Sequence, residues 1–297
     1  NNSVVITWLE KPLNPASVNQ TEYRAQKLNE NGEKLWSDNG IFIMESGSEY
    51  QTSRTISDYM GGFYFCANLW SGVEYLHFDS YGNYTHTLNL PLIAPDGNCE
   101  IKSVSFYPNF GFIIIFSSNG QPCVSAYSIT GEEIWETIEL LSSSEPFSTS
   151  DINFIKAGSD FIFCLNSNLH NVTIQKISAS GEKLWGENGM VFYQGNEYIP
   201  QLAAVQTDNY WILSIVKLNS IYVYKLDFNA NLLWTSPFVI QDSSYTEPYI
   251  LINDNHEIFV SYIKTGLGQY DKNTGKTVKL SADGQSLYPE ISKTFSF

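Results

Sequence analysis

Short runs of β-branched and aromatic residues, each bounded by Gly, Asn, Asp or Ser, recur along the whole chain. Residues 198–240 show the pattern within one period. The strands predicted there are Pro200–Ala204, Tyr210–Val216, Ile221–Asp227, and the two short segments Leu232–Trp234 and Phe238–Ile240. Apolar runs of about 4–8 residues between such residues are typical of strands joined by tight turns. No stretch of about a dozen residues keeps a helical period, so the predicted fold class is all-β.

One turn recurs at a nearly fixed distance. The segments QKLNENGEKLW and QKISASGEKLW show it in full. The turn glycines or their equivalents are Gly32, Gly82, Gly131, Gly181, Ala230 and Gly275, at steps of 50, 49, 50, 49 and 45 residues. Tryptophan follows four residues after four of them, as Trp36, Trp135, Trp185 and Trp234. A period of about 40–50 residues with several short strands predicts a six-bladed β-propeller of four-stranded antiparallel blades.

The two chain ends look like parts of a single blade. The segment SLYPEISKTFSF matches the opening strand of a repeat, and SVVITWL matches the second strand. We therefore predict that about 286–297 and 1–45 share one blade, in which the last residues supply the innermost strand and close the ring. Residues 1–297 would then form a single domain. The alternatives are six blades without this shared blade, or seven with one degenerate.

Charge and composition narrow the function classes. The chain has 31 acidic and 16 basic residues, a formal net charge of -15. Nucleic-acid binding needs a basic face to neutralise phosphates, and this balance argues against it. No run of about 18 apolar residues is present, so no membrane span is predicted. The low charged fraction of 16%, with many Asn, Ser and Tyr residues, favours a secreted, periplasmic or cell-surface monomer.

The turn pattern resembles a known repeat. A strand followed by x-D-x-x-x-G-K/E-x-x-W, seen in LGQYDKNTGKTV and more weakly in KISASGEKLW, resembles the PQQ-like repeat of the quinoprotein propeller superfamily. The whole chain also looks like uncharacterised secreted or lipoprotein propellers of Bacteroidetes. The resemblance covers all six repeats and implies the fold rather than an activity. It implies that the Gly permits a positive φ in the hairpin and that the Trp fills the space between neighbouring blades.

The cysteines and histidines form no recognised motif. No CxxC occurs, and Cys66 and Cys164 fall at equivalent second-strand positions, where we predict buried thiols. Cys99 and Cys123 share one blade, and a disulfide between them is left open. The histidines are spread over three blades, which predicts neither a metal cluster nor a His-based triad: His77, His86, His170 and His256.

Polar residues predicted to line the axial channel are the first candidate ligand-binding site. Aligning the first strands on their prolines places one residue of each blade at a common position, namely Glu290, Arg54, Glu100, Asp151, Gln201 and Tyr249. Three carboxylates that face one axis would raise each other's pKa or attract a hard cation such as calcium. The alternative is a hydrated polar channel. No other cofactor is predicted.

Two tryptophans are the second candidate. Trp8 and Trp70 end their strands and are predicted to lie near one rim, where an exposed indole could stack on a sugar ring. The alternative is that both pack between blades. The longest loop, EKPLNPASVNQTE, follows Trp8, and binding residues tend to reside on such loops.

Three functions remain open from sequence. The first is an extracellular binding or scaffold propeller that engages a glycan or protein through its loop face. The second is a hydrolytic, glycan-active enzyme that uses the carboxylates of the channel mouth, which would need to lie about 5–10 Å apart. The third is a structural module of a larger surface assembly. The absence of any catalytic signature favours the first.

Overall fold

The computed structural model divides into two compact units, Asn1–Glu139 and Leu140–Phe297. It describes residues 3–10, 21–46, 53–69, 72–91, 99–142, 147–167, 170–199, 201–241, 245–264, 274–287 and 291–294. Within these ranges every regular element is a β-strand. The described ranges contain no helix long and apolar enough to cross a membrane. The predicted all-β class is therefore confirmed, while a single domain over 1–297 stays a prediction.

The first unit contains three antiparallel sheets. Sheet 1 consists of β1 (Val4–Glu10), β2 (Thr21–Leu28) and β3 (Ile41–Ser46). Sheet 2 consists of β4 (Ser53–Ser57), β5 (Phe63–Leu69), β6 (Gly72–Phe78) and β7 (Tyr84–Pro91). Sheet 3 consists of β8 (Cys99–Tyr107), β9 (Gly111–Ser118), β10 (Gln121–Tyr127) and β11 (Glu133–Glu139). Strands that are consecutive in sequence pair with each other, as in propeller blades.

The second unit contains three further sheets with the same order. Sheet 4 consists of β12 (Phe147–Ala157), β13 (Asp160–Ser167), β14 (Asn171–Ile177) and β15 (Met190–Gln194). Sheet 5 consists of β16 (Leu202–Gln206), β17 (Trp211–Lys217), β18 (Ser220–Leu226) and β19 (Phe238–Gln241). Sheet 6 consists of β20 (Tyr245–Ile252), β21 (Ile258–Lys264), β22 (Thr274–Leu280) and β23 (Ile291–Thr294). The strands predicted within 198–240 are confirmed, except that Leu232 forms only an isolated bridge with Leu226.

Each core cluster lies between two consecutive sheets. In the first unit, one cluster joins sheets 1 and 2 and another joins sheets 2 and 3. In the second unit, the clusters join sheets 4 and 5 and sheets 5 and 6. The second strand of a sheet is the most deeply buried, and all eight residues of β9 are buried. The predicted buried thiols of Cys66 and Cys164 are confirmed, and both are free.

The recurring turn has one geometry in all six sheets. Its fourth residue has φ between 64° and 89° and donates its N–H to the carbonyl of the first residue over 2.9–3.0 Å. These fourth residues are Gly32, Gly82, Gly131, Gly181, Ala230 and Gly284. A side-chain oxygen of the first residue (Asn, Asp or Ser) also accepts the N–H of the fifth, as an Asx or Ser turn does. The positive φ predicted for the turn glycines is thus confirmed at five of the six predicted anchors.

The sixth predicted anchor is wrong. Gly275 lies inside β22, where it pairs with Ile263, and the turn residue is Gly284, 54 residues after Ala230. The chain reaches this turn through Ser281, whose carbonyl accepts the N–H of Gly284. The segment Thr274–Thr277 resembles a turn in composition, but it pairs with β21 as part of a strand.

The predicted shared blade is also wrong. The register of β1 with β2, Val4 to Leu28, matches that of β5 with β6, Phe63 to Phe78, so the N-terminal strand does correspond to a second strand. The C-terminal strand β23, however, pairs with β22 as the outer strand of sheet 6. The turn at Gly284 and the bridge of Leu280 with Ser286 direct the chain there, just as the bridge at Leu226 precedes β19. Among the described residues, sheet 1 has three strands.

Lysines of the repeat connect neighbouring sheets within each unit. Lys27 Nζ donates to the carbonyls of Gly61 at 2.7 Å and Ser80 at 3.2 Å, which lie in turns of sheet 2. Lys225 Nζ reaches the carbonyl of Ala282, in the turn of sheet 6, at 2.8 Å. These lysines therefore have a structural role, because they satisfy carbonyl groups of a neighbouring sheet.

The repeat tryptophans act in the same way. A Cβ on Gly82 would lie 3.0 Å from Cε2 of Trp36, and one on Gly284 would lie 2.8 Å from Cε2 of Trp234. Trp234 Nε1 also donates to the carbonyl of Ala282 at 3.2 Å. Each indole thus packs on the turn of the next sheet, which confirms the predicted packing role at these two positions.

Candidate functional site

A cavity lined with carboxylates lies along the outer strands of sheet 3. Its volume is about 410 Å³, and its lining extends from the hairpin that joins β9 to β10 along β11. The lining residues come from this hairpin and from the outer strand β11: Ser118, Asn119, Gln121, Cys123, Glu133, Glu136, Thr137 and Glu139. The volume falls in the range of about 300–1,000 Å³ that is usual for small-ligand sites.

The hairpin and a bulge shape this cavity. Asn119 and Gly120 have φ values of 51° and 75°, the pair of positive angles that a two-residue type I′ turn requires. In β11 the register with β10 shifts between the pairs Val124–Ile138 and Ala126–Trp135. Such a bulge places extra residues on the outer strand and redirects side chains. The shifts place Glu133 opposite Tyr127 and Glu139 opposite Cys123, which lie on one face of β10.

Cys123 lies beside the acidic residues without being reactive. Burial raises the pKa of its thiol to about 12, and the nearby charge of Glu139 contributes in the same direction. The thiol is free, so the disulfide with Cys99 that the sequence left open is not formed. A protonated thiol is neither a good nucleophile nor a metal ligand at neutral pH. Cys123 therefore contributes a polarisable apolar surface to the cavity.

The axial set predicted from sequence is only partly described. Arg54 is exposed in β4, Tyr249 is 69% exposed in β20, and Gln201 lies directly before β16 with its carbonyl accepting the N–H of Val216. Glu100 and Asp151 lie in β8 and β12, but their side chains are outside the described part of the chain. Glu290 lies outside it entirely.

Strand pairing shows that the predicted axial residues do not all occupy the same register position of their first strands. Arg54 pairs with Cys66 and Tyr249 pairs with Ser261, which are equivalent positions of their second strands. The residues at the same register in the other first strands are Ser103, Asn153 and Ala203. Register shifts in β8, β12 and β20 explain the offset, because counting from a proline does not detect an inserted residue. A ligand-binding role for the predicted set stays a prediction.

Trp8 is partly buried and belongs to a polar cluster on sheet 1. Its Nε1 donates to Glu10 Oε2 at 3.0 Å, and Glu10 pairs with Arg24 at 2.6 Å. Its ring packs closely on Gly40, where a Cβ would lie 2.8 Å from Cη2. One part of the indole is thus used for packing. Trp70, the other predicted rim residue, lies outside the described residues.

His77 and His86 lie side by side on sheet 2. Their ring centroids are 5.1 Å apart, and the Nδ1 atoms are 2.6 Å and 2.9 Å from the hydroxyl of Thr85. His77 Nε2 lies 3.1 Å from a carboxylate oxygen of Asp58, whose other oxygen accepts the N–H groups of Met60 and Gly62. Asp58 therefore stabilises the turn between β4 and β5. Its contact with His77 gives the pair of histidines a structural role. No group of three or more His, Cys, Asp or Glu residues that could hold a metal ion occurs in the described ranges.

His86 is expected to make a small contribution to acid sensitivity. It is exposed, and partial desolvation, followed by the charge of the nearby His77, lowers the pKa of His86 below its usual value. A histidine with a lowered pKa in the folded state takes up its proton more readily in the unfolded chain, so its contribution to stability is lost as pH falls through about 6.5. We expect His86→Gln to weaken the fall in urea midpoint of the first unit between pH 7 and pH 5. His256→Asn, in the second unit, is the control, and an unchanged pH slope in His86→Gln would contradict this account.

The acid-lined cavity was not predicted from sequence, although one signal marks it. Two residues after the turn glycine, the strongest repeats carry lysine, as Lys34 and Lys183, whereas sheet 3 carries Glu133. Lys183 bonds Glu187 at 2.8 Å, so sheet 4 neutralises its own charge at this position. In sheet 3 the charge is reversed, and that departure from the repeat could have been found by comparing the blades.

Comparison with known proteins supports the fold. No protein-family model and no curated protein matches the chain. Among solved structures, a protein of unknown function from Bacteroides caccae is 10% identical, with a TM-score of 0.53 over 91% of this chain and 90% of that one. A protein from Lactobacillus plantarum is 12% identical, with a TM-score of 0.57 over 99% and 82%. The β-propeller domain of Nup133 from Vanderwaltozyma polyspora is 12% identical, with a TM-score of 0.50 over 99% and 90%. These similarities show the propeller fold alone, and membership of a PQQ-like or Bacteroidetes group stays a prediction.

Proposed function

We propose that the chain is a binding propeller that engages a partner through the outer strands of sheet 3, in its first unit. The observation that carries this proposal is the cavity of about 410 Å³ at the β9–β10 hairpin. Concave sites with a few grouped polar side chains are where propellers and other rigid scaffolds bind ligands. The lysines and tryptophans of the repeat, in contrast, form structural contacts between neighbouring sheets.

The location of the protein and the class of its partner are proposed from its composition and from the polar cluster around Trp8. A net charge of -15 with few basic residues is consistent with a secreted, periplasmic or cell-surface protein and disfavours anionic partners. A protein ligand suits the acidic cavity, and a glycan suits the indole and carboxylates around Trp8. Hydrolysis by carboxylates of the axial channel stays a prediction, because the side chains of Glu100 and Asp151 lie outside the described residues.

Paired arrays test the binding function. The labelled protein is applied to a glycan array and to a peptide array, and each hit is measured again with Glu133→Gln/Glu136→Gln/Glu139→Gln. We expect peptide hits that weaken by about tenfold or more in this triple variant, since charge-assisted contacts are lost. The control is Asp208→Asn, which removes one exposed carboxylate from the turn between β16 and β17 in the second unit.

The outcomes of the arrays are distinct. Hits that survive the triple variant but are lost in Trp8→Ala would move the binding surface to sheet 1 and support the glycan form of the proposal. No hit on either array would overturn the binding function.

A further inference from the structure

We infer that the acid-lined cavity of sheet 3 binds an organic cation, an alkylammonium or guanidinium group of about the size of an arginine side chain. This inference rests on the proposed function and names the chemistry of its ligand. It follows from the charge of the walls, the unpaired acceptor and the size of the cavity.

The walls carry negative charge that nothing in the described structure balances. Glu133, Glu136 and Glu139 line the cavity, and none of them forms an ion pair with another described residue. No lysine or arginine is among the described lining residues. Because all three carboxylates lie on one strand of a strongly acidic chain, they focus a negative potential into the cavity.

A neutral acceptor lies next to these carboxylates. Gln121 lines the cavity, and its Oε1 is buried without a hydrogen-bond partner in the described part of the chain. A buried acceptor without a donor is costly, so a ligand that supplies N–H groups would relieve that cost. Guanidinium offers five N–H donors and no acceptor, which matches a cavity of acceptors.

The size and the apolar part of the cavity favour an organic cation over a metal ion. A volume of about 410 Å³ is far larger than one ion needs. The carboxylates also form no group that could hold a metal, as judged over the residues that the structure describes. The thiol of Cys123 and the methyl of Thr137 add apolar surface, against which the alkyl stem of a long cationic side chain can pack.

Calorimetric titration tests the inference directly. The probes are Nα-acetyl-arginine methylamide, its neutral citrulline isostere and a short peptide with one central arginine, each added to the full chain. We expect the arginine probe to bind with a Kd of about 1 mM or below and the citrulline probe to bind at least about tenfold more weakly. Affinity for the arginine probe should fall as salt is raised.

Variants show whether binding occurs in this cavity. Glu136→Gln should weaken the arginine probe, and Glu133→Gln/Glu136→Gln/Glu139→Gln should weaken it by about tenfold or more. Asp208→Asn, in the turn between β16 and β17 of the second unit, should change Kd by less than about twofold. Circular dichroism confirms that each variant is folded. Equal binding of the arginine and citrulline probes, or full binding by the triple variant, would overturn the inference.

The peptide distinguishes the source of the cation. Binding of the peptide at least about tenfold tighter than the small probe supports a side chain of a partner protein, and equal affinities support a free small cation. If array hits persist in the triple variant and no arginine probe binds, this inference fails and the proposed function stands. If the arginine probe binds and the arrays show no hit, the cavity chemistry stands and the partner-binding function fails.

Discussion

Trp211→Ala is expected to lower the unfolding free energy of the second unit by about 3–5 kcal/mol. Trp211 is fully buried in the core between sheets 4 and 5, where Ile155 and Ile162 from sheet 4 belong to the same cluster. Its Nε1 donates to the carbonyl of Asp227 at 2.7 Å and so ties β17 to the turn of its own sheet. Truncation would remove both the packing and this hydrogen bond.

Urea unfolding followed by circular dichroism measures this effect. Trp211→Phe keeps an aromatic ring and loses the hydrogen bond, so a smaller loss is expected, and Tyr249→Ala at an exposed position should be nearly neutral. If Trp211→Ala cost less than about 1 kcal/mol, the core between sheets 4 and 5 would not be as described.

Lys27→Met is expected to destabilise the first unit by about 2–5 kcal/mol, because two carbonyl groups lose their donor. Lys27 is only 5% exposed, and its ammonium group is the donor to Gly61 and Ser80 in sheet 2. Methionine keeps the length and the apolar stem of the side chain. The loss can therefore be assigned to the hydrogen bonds rather than to packing.

Thermal and urea unfolding of the first unit provide the measurement. Lys34→Met is the matched control, since Lys34 donates to the exposed loop carbonyl of Asp38, and it should cost less than about 1 kcal/mol. Equal losses in the two variants would show that the lysine of the repeat has no special structural role.

Local sequence rules predicted most of the fold. Strand positions and turn residues depend on near neighbours, and a positive φ or a short apolar run is visible in the sequence itself. Tertiary pairing decided the two exceptions. Gly275 has the composition of a turn, but its pairing with Ile263 makes it part of a strand. The C-terminal segment resembles a first strand, yet β22 binds it as a fourth strand.

The candidate site was harder to predict, for physical reasons. Register is set by strand pairing, and a proline does not mark a fixed register position, so the alignment on prolines placed Gln201 where pairing places Ala203. The acid-lined cavity depends on register shifts in β11, because they place Glu133 opposite Tyr127 and Glu139 opposite Cys123, two residues on one face of β10. Only one signal was present in the sequence, namely Glu133 at the position where the two strongest repeats carry Lys34 and Lys183.

The central claim is that residues shared by the repeats hold the sheets together, whereas residues particular to sheet 3 bind the ligand. The most direct test measures both properties in two variants of the first unit, Lys27→Met and the triple Glu→Gln variant at Glu133, Glu136 and Glu139. Melting temperature and Kd for Nα-acetyl-arginine methylamide are determined for each, with binding measured well below the melting temperature. We predict that Lys27→Met lowers the melting temperature by at least about 4 °C and changes Kd by less than about twofold. The triple variant should keep its melting temperature and weaken binding by about tenfold or more. If both properties changed together in both variants, the separation of structural and binding residues would be contradicted.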